Sequence, residues 1–531
     1  MKKKFAVLLA VIMVLGTILT ACGGNSGSAS SDTSAAKTDT AGAEKTDTQA
    51  DDGENNAAAS NGPADHVVVT FLYATTEPAD LGKVQDAVNE ITVPAINVEV
   101  EFKPLGIGDS FTNYSLWISS GETVDLMMLA FQDIKTYANS GQIEALDSYI
   151  SAEATPNLYE LCNEFPLTST VSGEIYGISP VGVNYGNQPG LIIREDYLTE
   201  ALAAAGIEEQ DIYSVEDTTA IFAAIKEAHA DCYPFGVLGS GITAGTTQYT
   251  LFGQGDLLGA NVIAGALMDA ESTEVKNLFA TEQYKEFLQL MSEWYKAGYI
   301  LPDAATTDTS SNELLQNNKI ASYLMSQKPE QFGGSQYSFA LAGMPTAPAY
   351  IGAQSSLTNW VVPITTSNPE AAMRLLDYLY EDHDLTNLIS WGIEGEHYNL
   401  ADAENGIMEF ANGYDGSTSP FYNPLGLWGD RRYEYTFDAT ATRAAHDAFT
   451  ERAMSNKYKS YGFVFDSSNV SNQLIACQSV LDQYQKALET GVLGDKWEET
   501  YNQMISQLET AGIDDVIAEC QSQFDAFLAG K

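Results

Sequence analysis

From His66 to Tyr73 the chain reads HVVVTFLY, a β-prone run that predicts a strand. Leu81, Val84, Val88 and Ile91 follow at helical spacing, and Ile96, Val98, Val100 and Phe102 then alternate as a second strand. Another helix leads through Trp117 to the strand VDLMML at 124–129. Strand, helix, strand, helix, strand with short connectors predicts parallel pairing in α/β layers. Further on, helices dominate. TEQYKEFLQLMSEWYKAGYI sets Tyr284, Phe287, Leu288, Met291 and Tyr295 on one face, and Asn368 followed by Pro369 opens the helix in SNPEAAMRLLDYLY. Asp495 and Glu498 have capping-box spacing ahead of a helix carrying Trp497, Tyr501, Met504, Ile505 and Leu508, which Gly512 closes. No internal repeat is present.

The start of the chain follows different rules. Lys2, Lys3 and Lys4 precede an apolar stretch, Phe5 to Thr20, that is short against the roughly 20 residues of a membrane-spanning helix and fits a secretory signal. Leu19-Thr20-Ala21-Cys22 resembles the bacterial lipobox, in which the cysteine thiol takes a diacylglycerol and becomes the new N-terminus. From Gly23 to about Ala64 the chain is Ser, Ala, Thr, Gly, Asp and Asn with no aromatic or large aliphatic residue. Such a stretch cannot bury enough apolar surface to offset ordering entropy. The expected arrangement is a signal peptide at 1–21, then a lipidated Cys22 with a disordered tether at 22–64. This would hold a folded body to the outer face of the cytoplasmic membrane.

Charge narrows the partners. With 25 Lys+Arg against 72 Asp+Glu, the surface repels nucleic acid and anionic membranes. Beyond Cys22 stand Cys162, Cys232, Cys477 and Cys520; four thiols allow three pairings, but Cys477 and Cys520 fall on apolar helical stripes and read as packing. The five histidines are scattered, and no H-E-x-x-H, G-x-S-x-G or phosphate-binding glycine loop appears. Glu394 to His397 (EGEH) has no recognised metal-ligand spacing, and DAENG at Asp402 falls short of a calcium loop. No metal and no cofactor is expected. Carboxylate pairs carry no information among 72 acids.

Several stretches in order resemble landmarks of the bacterial extracellular solute-binding proteins that serve ABC importers, above all the carbohydrate-binding branch: ISSGETVDLMML, YANSGQIEALDSYI, SGEIYGISP, LIIREDYLTEALAAAGI, LLQNNKIASYLM and NWVVPITTSNPEAAMRLLDYLY. SWGIEGEHYNL, SYGFVFD and LETAGIDDVIAECQSQFDAFL resemble the C-terminal domain of a lipoprotein subgroup, the DUF3502 type. The resemblance implies an α/β two-lobe periplasmic-binding-protein (Venus flytrap) fold with hinge strands and a helical C-terminal extension. It places lobe 1 at 66–176 plus about 338–390, and lobe 2 at 177–337 plus about 391–531. It further implies a monomer that takes an oligosaccharide ligand in an interlobe cleft and delivers it to ABC permease transmembrane subunits. The alternatives are a glycan-processing surface lipoprotein enzyme and a peptide-binding lipoprotein.

A sugar presents C–H faces and hydroxyls, so its site needs flat aromatics and Asp, Asn, Glu or Arg. Tyr73 ends the first strand at the carboxyl edge, where open α/β sheets bind ligands; lobe packing is its other reading. Asp125 begins a strand after a glycine turn, and the resemblance sets it along the cleft, although a turn or cap role fits as well. Tyr176 and Tyr185 flank the expected hinge crossing with Asn184 beside them, one of the three serving structure, and Trp360 matches the place where sugar-binding relatives carry a stacking aromatic. Trp391, Glu394 and Tyr398 lie in one glycine-punctuated segment, Trp428 and Arg431 in another. An interlobe ion pair is the other reading of Glu394 and Arg431.

Overall fold

The structure, a computed structural model, describes residues 66–182, 186–236, 255–258, 262–307, 309–329, 338–353, 358–423, 427–437 and 441–530, with Ile107 by its backbone alone. Cys22, the tether, Asn184 and Tyr185 lie outside the described residues.

Along the chain the strands are β1 (Val67–Ala74), β2 (Val98–Leu105), β3 (Leu126–Ala130), β4 (Thr168–Val171), β5 (Glu174–Ile178), β6 (Gly190–Arg194), β7 (Tyr233–Gly236), β8 (Asp256–Leu257), β9 (Ala266–Leu267), β10 (Ile320–Leu324), β11 (Leu341–Pro345), β12 (Thr358–Val361), β13 (Tyr398–Asp402) and β14 (Ile407–Phe410). Two larger sheets organise them into two lobes. The first has the order β2-β1-β3-β12-β5-β4, the second β11-β6-β10-β7. β1 runs parallel to both β2 and β3, as the alternating strand and helix segments require. From Val69 onward both faces of β1 are covered: Val69, Phe71 and Tyr73 join a core with Trp360 and the helix Pro369–Glu381, while Leu72 joins Tyr114, Met127, Leu129 and Val361 on the other side. A parallel strand covered on both faces reads as a near-continuous apolar run, and VTFLYA at 69–74 has one polar residue, the buried Thr70.

The second lobe packs its sheet against the helices Glu195–Ala205, Val215–Ala228 and Glu282–Lys296, and against the C-terminal helices Ser471–Glu489, Trp497–Ala511 and Ile513–Ala529. Tyr284, Phe287, Leu288 and Met291 are buried on one face as their spacing predicts, with Trp294 rather than Tyr295 completing the stripe. Cys477 and Cys520 are buried, and all four described cysteines are unpaired. Asp495 and Glu498 form no capping box. They pair across to Lys296 and Lys285, fastening their helix to Glu282–Lys296. Asn368 starts its helix without a side-chain cap bond.

Two stretches depart from the expected lobe boundaries. β11, expected in lobe 1, hydrogen-bonds to β6 in the second sheet. Phe421, Leu427 and Trp428, expected in lobe 2, are buried in the core of the first sheet. Among the described residues the chain therefore changes lobe three times. The first two crossings pair at Asn187 and Tyr350, whose N–H and C=O groups exchange two 2.8 Å bonds, and Ile351 bridges to Lys457 beside the third. Gly186 at φ +126° touches this junction, where a Cβ would lie 2.5 Å from that of Ala453.

Candidate functional site

The carboxyl edge of the first sheet is where its loops converge. On one side the chain leaves β3 through Phe131, whose φ of +58° is uncommon for a bulky residue and turns the ring outward, 49% exposed. Gln132 then donates to Ser110 Oγ (3.2 Å) and accepts from the Tyr137 hydroxyl (2.6 Å). These bonds seat the β3 loop against the start of the helix Ile107–Ser120, whose Phe111 is likewise exposed.

On the other side the segment 391–437 is fastened to the loop after β1. Asp80 N–H bonds the carbonyl of Pro420 (3.1 Å), and Asp80 faces His397 Nε2 at 3.3 Å. This segment carries an aromatic cluster. Trp391 stacks on Tyr422 (5.1 Å between centroids, 15° between planes), and Phe410 and Phe437 meet Trp391 edge-on. The Trp391 ring is buried, and its indole N–H has no hydrogen-bond partner. Tyr422 is half-buried and Phe437 exposed, so these two rings face outward. Burial, then the nearby Glu434, pushes the Tyr422 phenol above its usual range; burial, then Asp384 and Glu394, does the same for Tyr435. Both phenols stay neutral and able to donate as well as accept. Arg431 pairs with Glu434 (3.0 Å) and is one-third exposed, while Glu394 is an exposed carboxylate.

Most of the residues singled out by sequence lie deeper than expected. Trp360, in β12, is fully buried: its ring lies against Phe71 at 4.7 Å and its indole donates to the Leu427 carbonyl at 2.8 Å. Tyr73 is 1% exposed and walled in by Phe71, Phe102 and Trp428; burial raises its pKa. Trp428 bonds Ser390 Oγ from inside the same core, held there by Gly429, where a Cβ would come within 2.2 Å of the Leu379 carbonyl. Tyr398 is buried with Trp391 and Met408. Asp125 accepts from Thr70 N–H (2.9 Å) and Thr366 Oγ1 (2.5 Å), locking β3 to β1 and to the turn before the helix Pro369–Glu381. These side chains have no face to offer a ligand, and the assignment of Tyr73, Asp125, Trp360, Tyr398 and Trp428 as ligand contacts is corrected to packing. Trp391 supports the rim through its partner Tyr422. Glu394 and Arg431 remain accessible.

Phe111, Phe131, Tyr422, Tyr435 and Phe437 were not singled out by sequence. A usable signal was present for Phe131: an aromatic directly after an apolar strand and two residues before Asp133, which caps the next helix by accepting from Lys135 N–H.

Asp80, Glu396 and His397 bring three potential ligand atoms within 4.8 Å of one another. They do not suit a metal. His397 Nδ1 accepts from Ile393 N–H (2.8 Å), so its Nε2 carries the proton and donates toward Asp80. Lys83 Nζ lies 2.9 Å from Asp80 and 3.4 Å from Glu396, supplying the positive charge itself. A surface depression of about 760 Å³ lies away from the rim on the helix Trp497–Ala511 and is lined by polar residues including Asp495, Glu499 and Gln503.

Residues 86–392 match the family described as bacterial extracellular solute-binding protein, more than half of the chain. The chain belongs to that family. Residues 459–529 match a second description, domain of unknown function DUF3502. This solute-binding protein is 24% identical over 489 residues to a carbohydrate ABC transporter substrate-binding protein of Streptococcus pneumoniae serotype 4 (strain ATCC BAA-334 / TIGR4), covering 90% of this chain and 94% of that one. Among solved structures it resembles the N-glycan transport solute binding protein NgtS of Streptococcus pneumoniae, with a TM-score of 0.70 at 22% identity over 87% of this chain and 99% of that one. It also resembles an HMO binding, ABC-transporter associated solute-binding protein of Bifidobacterium longum infantis ATCC 15697, with a TM-score of 0.61 at 15% identity over 88% and 100% of the two chains. These solute-binding proteins share its two-lobe fold.

Proposed function

We propose that this chain captures an extracellular oligosaccharide between its lobes, seats it on the aromatic rim of the first sheet, and passes it to the transmembrane subunits of an ABC importer. The observation that carries this reading is the rim itself. Phe131 on one side of the edge and Phe437 on the other hold about half their surface open to solvent, and the half-buried Tyr422 and Tyr435 lie in the same segment as Phe437. Exposed rings of this kind match the C–H faces of pyranose units, and neutral phenols and an Arg–Glu pair match their hydroxyls. The names of its relatives, one a carbohydrate and one an N-glycan transport protein, support the same ligand class. A ligand touching both lobes binds the closed form better and shifts the population toward it.

The protein is proposed to act as a monomer that binds without turning its ligand over. Two of the acids at the rim favour that: Glu434 is paired with Arg431 and Asp80 with Lys83, which leaves Glu394 as the exposed carboxylate whose part the turnover assay below tests. Acylation of Cys22 would hold the protein to the outer face of the cytoplasmic membrane; among the described residues no helix is long and apolar enough to cross it.

A glycan array of neutral and acidic oligosaccharides, with a mixed peptide library as a second arm, tests the reading. Binding to glycans without release of new reducing ends is expected. Binding to peptides alone, or glycan turnover, would overturn it.

A further inference from the structure

The 459–529 region matches a description that assigns it no function. Its helices belong to the second lobe: Cys477, Leu481, Met504, Leu508 and Val516 are buried in that lobe's core. Its opening stretch, 459–466, is built differently. Lys459 N–H bonds the Ala270 carbonyl (3.0 Å), and Ser460 Oγ donates to Asp256, a carboxylate that also accepts from Ala353 N–H on the second crossing. These bonds pin one end to lobe 2.

The stretch then touches lobe 1 at two places. The Tyr461 hydroxyl donates to the Glu164 carbonyl (2.8 Å), beside Pro166, which lies against Gly462. Lys135 Nζ, on the helix after β3, donates to the Phe465 carbonyl (3.4 Å) and lies 3.8 Å from Asp466 Oδ1. Asp466 ties the far end back to lobe 2: its N–H and C=O both bond the Gln523 side chain (2.9 and 2.7 Å), and its carboxylate accepts from Ser468 N–H and Oγ. Phe463 is buried against Phe524 and Phe527 of the last helix.

We propose that residues 459–466 are an interlobe strap, through which the C-terminal region sets the angle between the lobes in the ligand-free protein. Both ends are fixed on lobe 2, while Tyr461 and the Phe465–Asp466 pair hold lobe 1 by one neutral hydrogen bond and one partly exposed lysine. Contacts of that kind are individually weak, so the strap biases the lobe angle and yields to a ligand that spans the cleft. The proposal concerns the empty protein and stands whatever the ligand proves to be.

The test uses the full chain in detergent, with spin labels attached through unnatural amino acids at the exposed Glu160 of lobe 1 and Glu209 of lobe 2, leaving the native cysteines unmodified. Lys135→Met keeps the aliphatic stem and Tyr461→Phe removes a single oxygen. In the double variant the ratio of interlobe distance populations should move by about five- to thirtyfold, with the melting temperature nearly unchanged. A folded double variant whose distance distribution superimposes on that of the wild type would overturn the strap. Should the double variant not fold, Tyr461→Phe alone gives the same comparison: a smaller shift in the same direction supports the strap, and none overturns it.

Discussion

Trp360 and Phe131 lie close together in the first sheet and differ completely in what they can touch. Trp360 sits opposite Met128 within the β3–β12 ladder and is fully buried, while Phe131 is the first residue past the end of β3 and is half exposed. Within a ladder the pleat sends every side chain to a covered face when helices lie on both sides of the sheet. One residue beyond it the backbone enters the left-handed region, and the ring leaves the core. The size of an aromatic side chain therefore says little about ligand contact, whereas its position relative to the strand end says much. Outside the ladders the partners decide instead: Asp125, one residue before β3, is buried and accepts two hydrogen bonds, while Glu394 is exposed.

The largest expected effect is at Trp360. Replacement by Ala should cost about 3–5 kcal/mol of stability through the cavity it opens, read by chemical denaturation, while the affinity of the folded fraction stays near wild type. Loss of affinity at unchanged stability would instead return Trp360 to the rim.

Asp256, buried at the base of the strap, is next. Burial pushes its pKa up to about 7, against the hydrogen bonds from Ser460 and Ala353 N–H. The folded state thus keeps a proton that the unfolded chain has released, and the group's contribution to stability falls as pH rises from about 4 to about 7. Asp256→Asn keeps an acceptor for Ala353 N–H and carries no charge. Denaturation at pH 4 and pH 8 should show the variant gaining on the wild type by roughly 1–4 kcal/mol. A constant gap across that range would contradict the assignment.

Asp125→Ala should cost about 1–3 kcal/mol, because the Thr70 N–H is left in the sheet without its acceptor. An effect confined to ligand affinity would show that Asp125 faces the cleft after all.

Phe131 should give the smallest change in stability and the clearest change in binding. Phe131→Gly relieves a positive φ and removes the ring, so the melting temperature should hold or rise slightly while affinity for a bound glycan falls by about 0.5–1.5 kcal/mol. A stability loss comparable to that of Trp360→Ala would erase the distinction between core and rim.

How much of this was legible in the sequence follows from the same contrast. The parallel β2-β1-β3 unit was readable because its spacing and connector lengths are local properties, and the glycine-punctuated stretches at 391–398 and 428–431 were flagged through their glycines and aromatics. Which rings in that segment stay open was not readable. Tyr422 covers Trp391 from 31 positions along the chain, and the Leu427 carbonyl receives the Trp360 indole from 67 positions away. Such distant partners leave no mark on the local pattern. The lobe boundaries failed for a related reason: β11 and the 421–428 segment are short, and each is assigned by its partner rather than by its own periodicity.

The most direct test of the rim is hydrogen–deuterium exchange with and without a glycan identified on the array. Slowed exchange in peptides covering 131–139 and 410–437, with the helix Trp497–Ala511 unchanged, is the predicted result. Protection confined to the C-terminal helices, with the rim peptides exchanging as in the free protein, would contradict it.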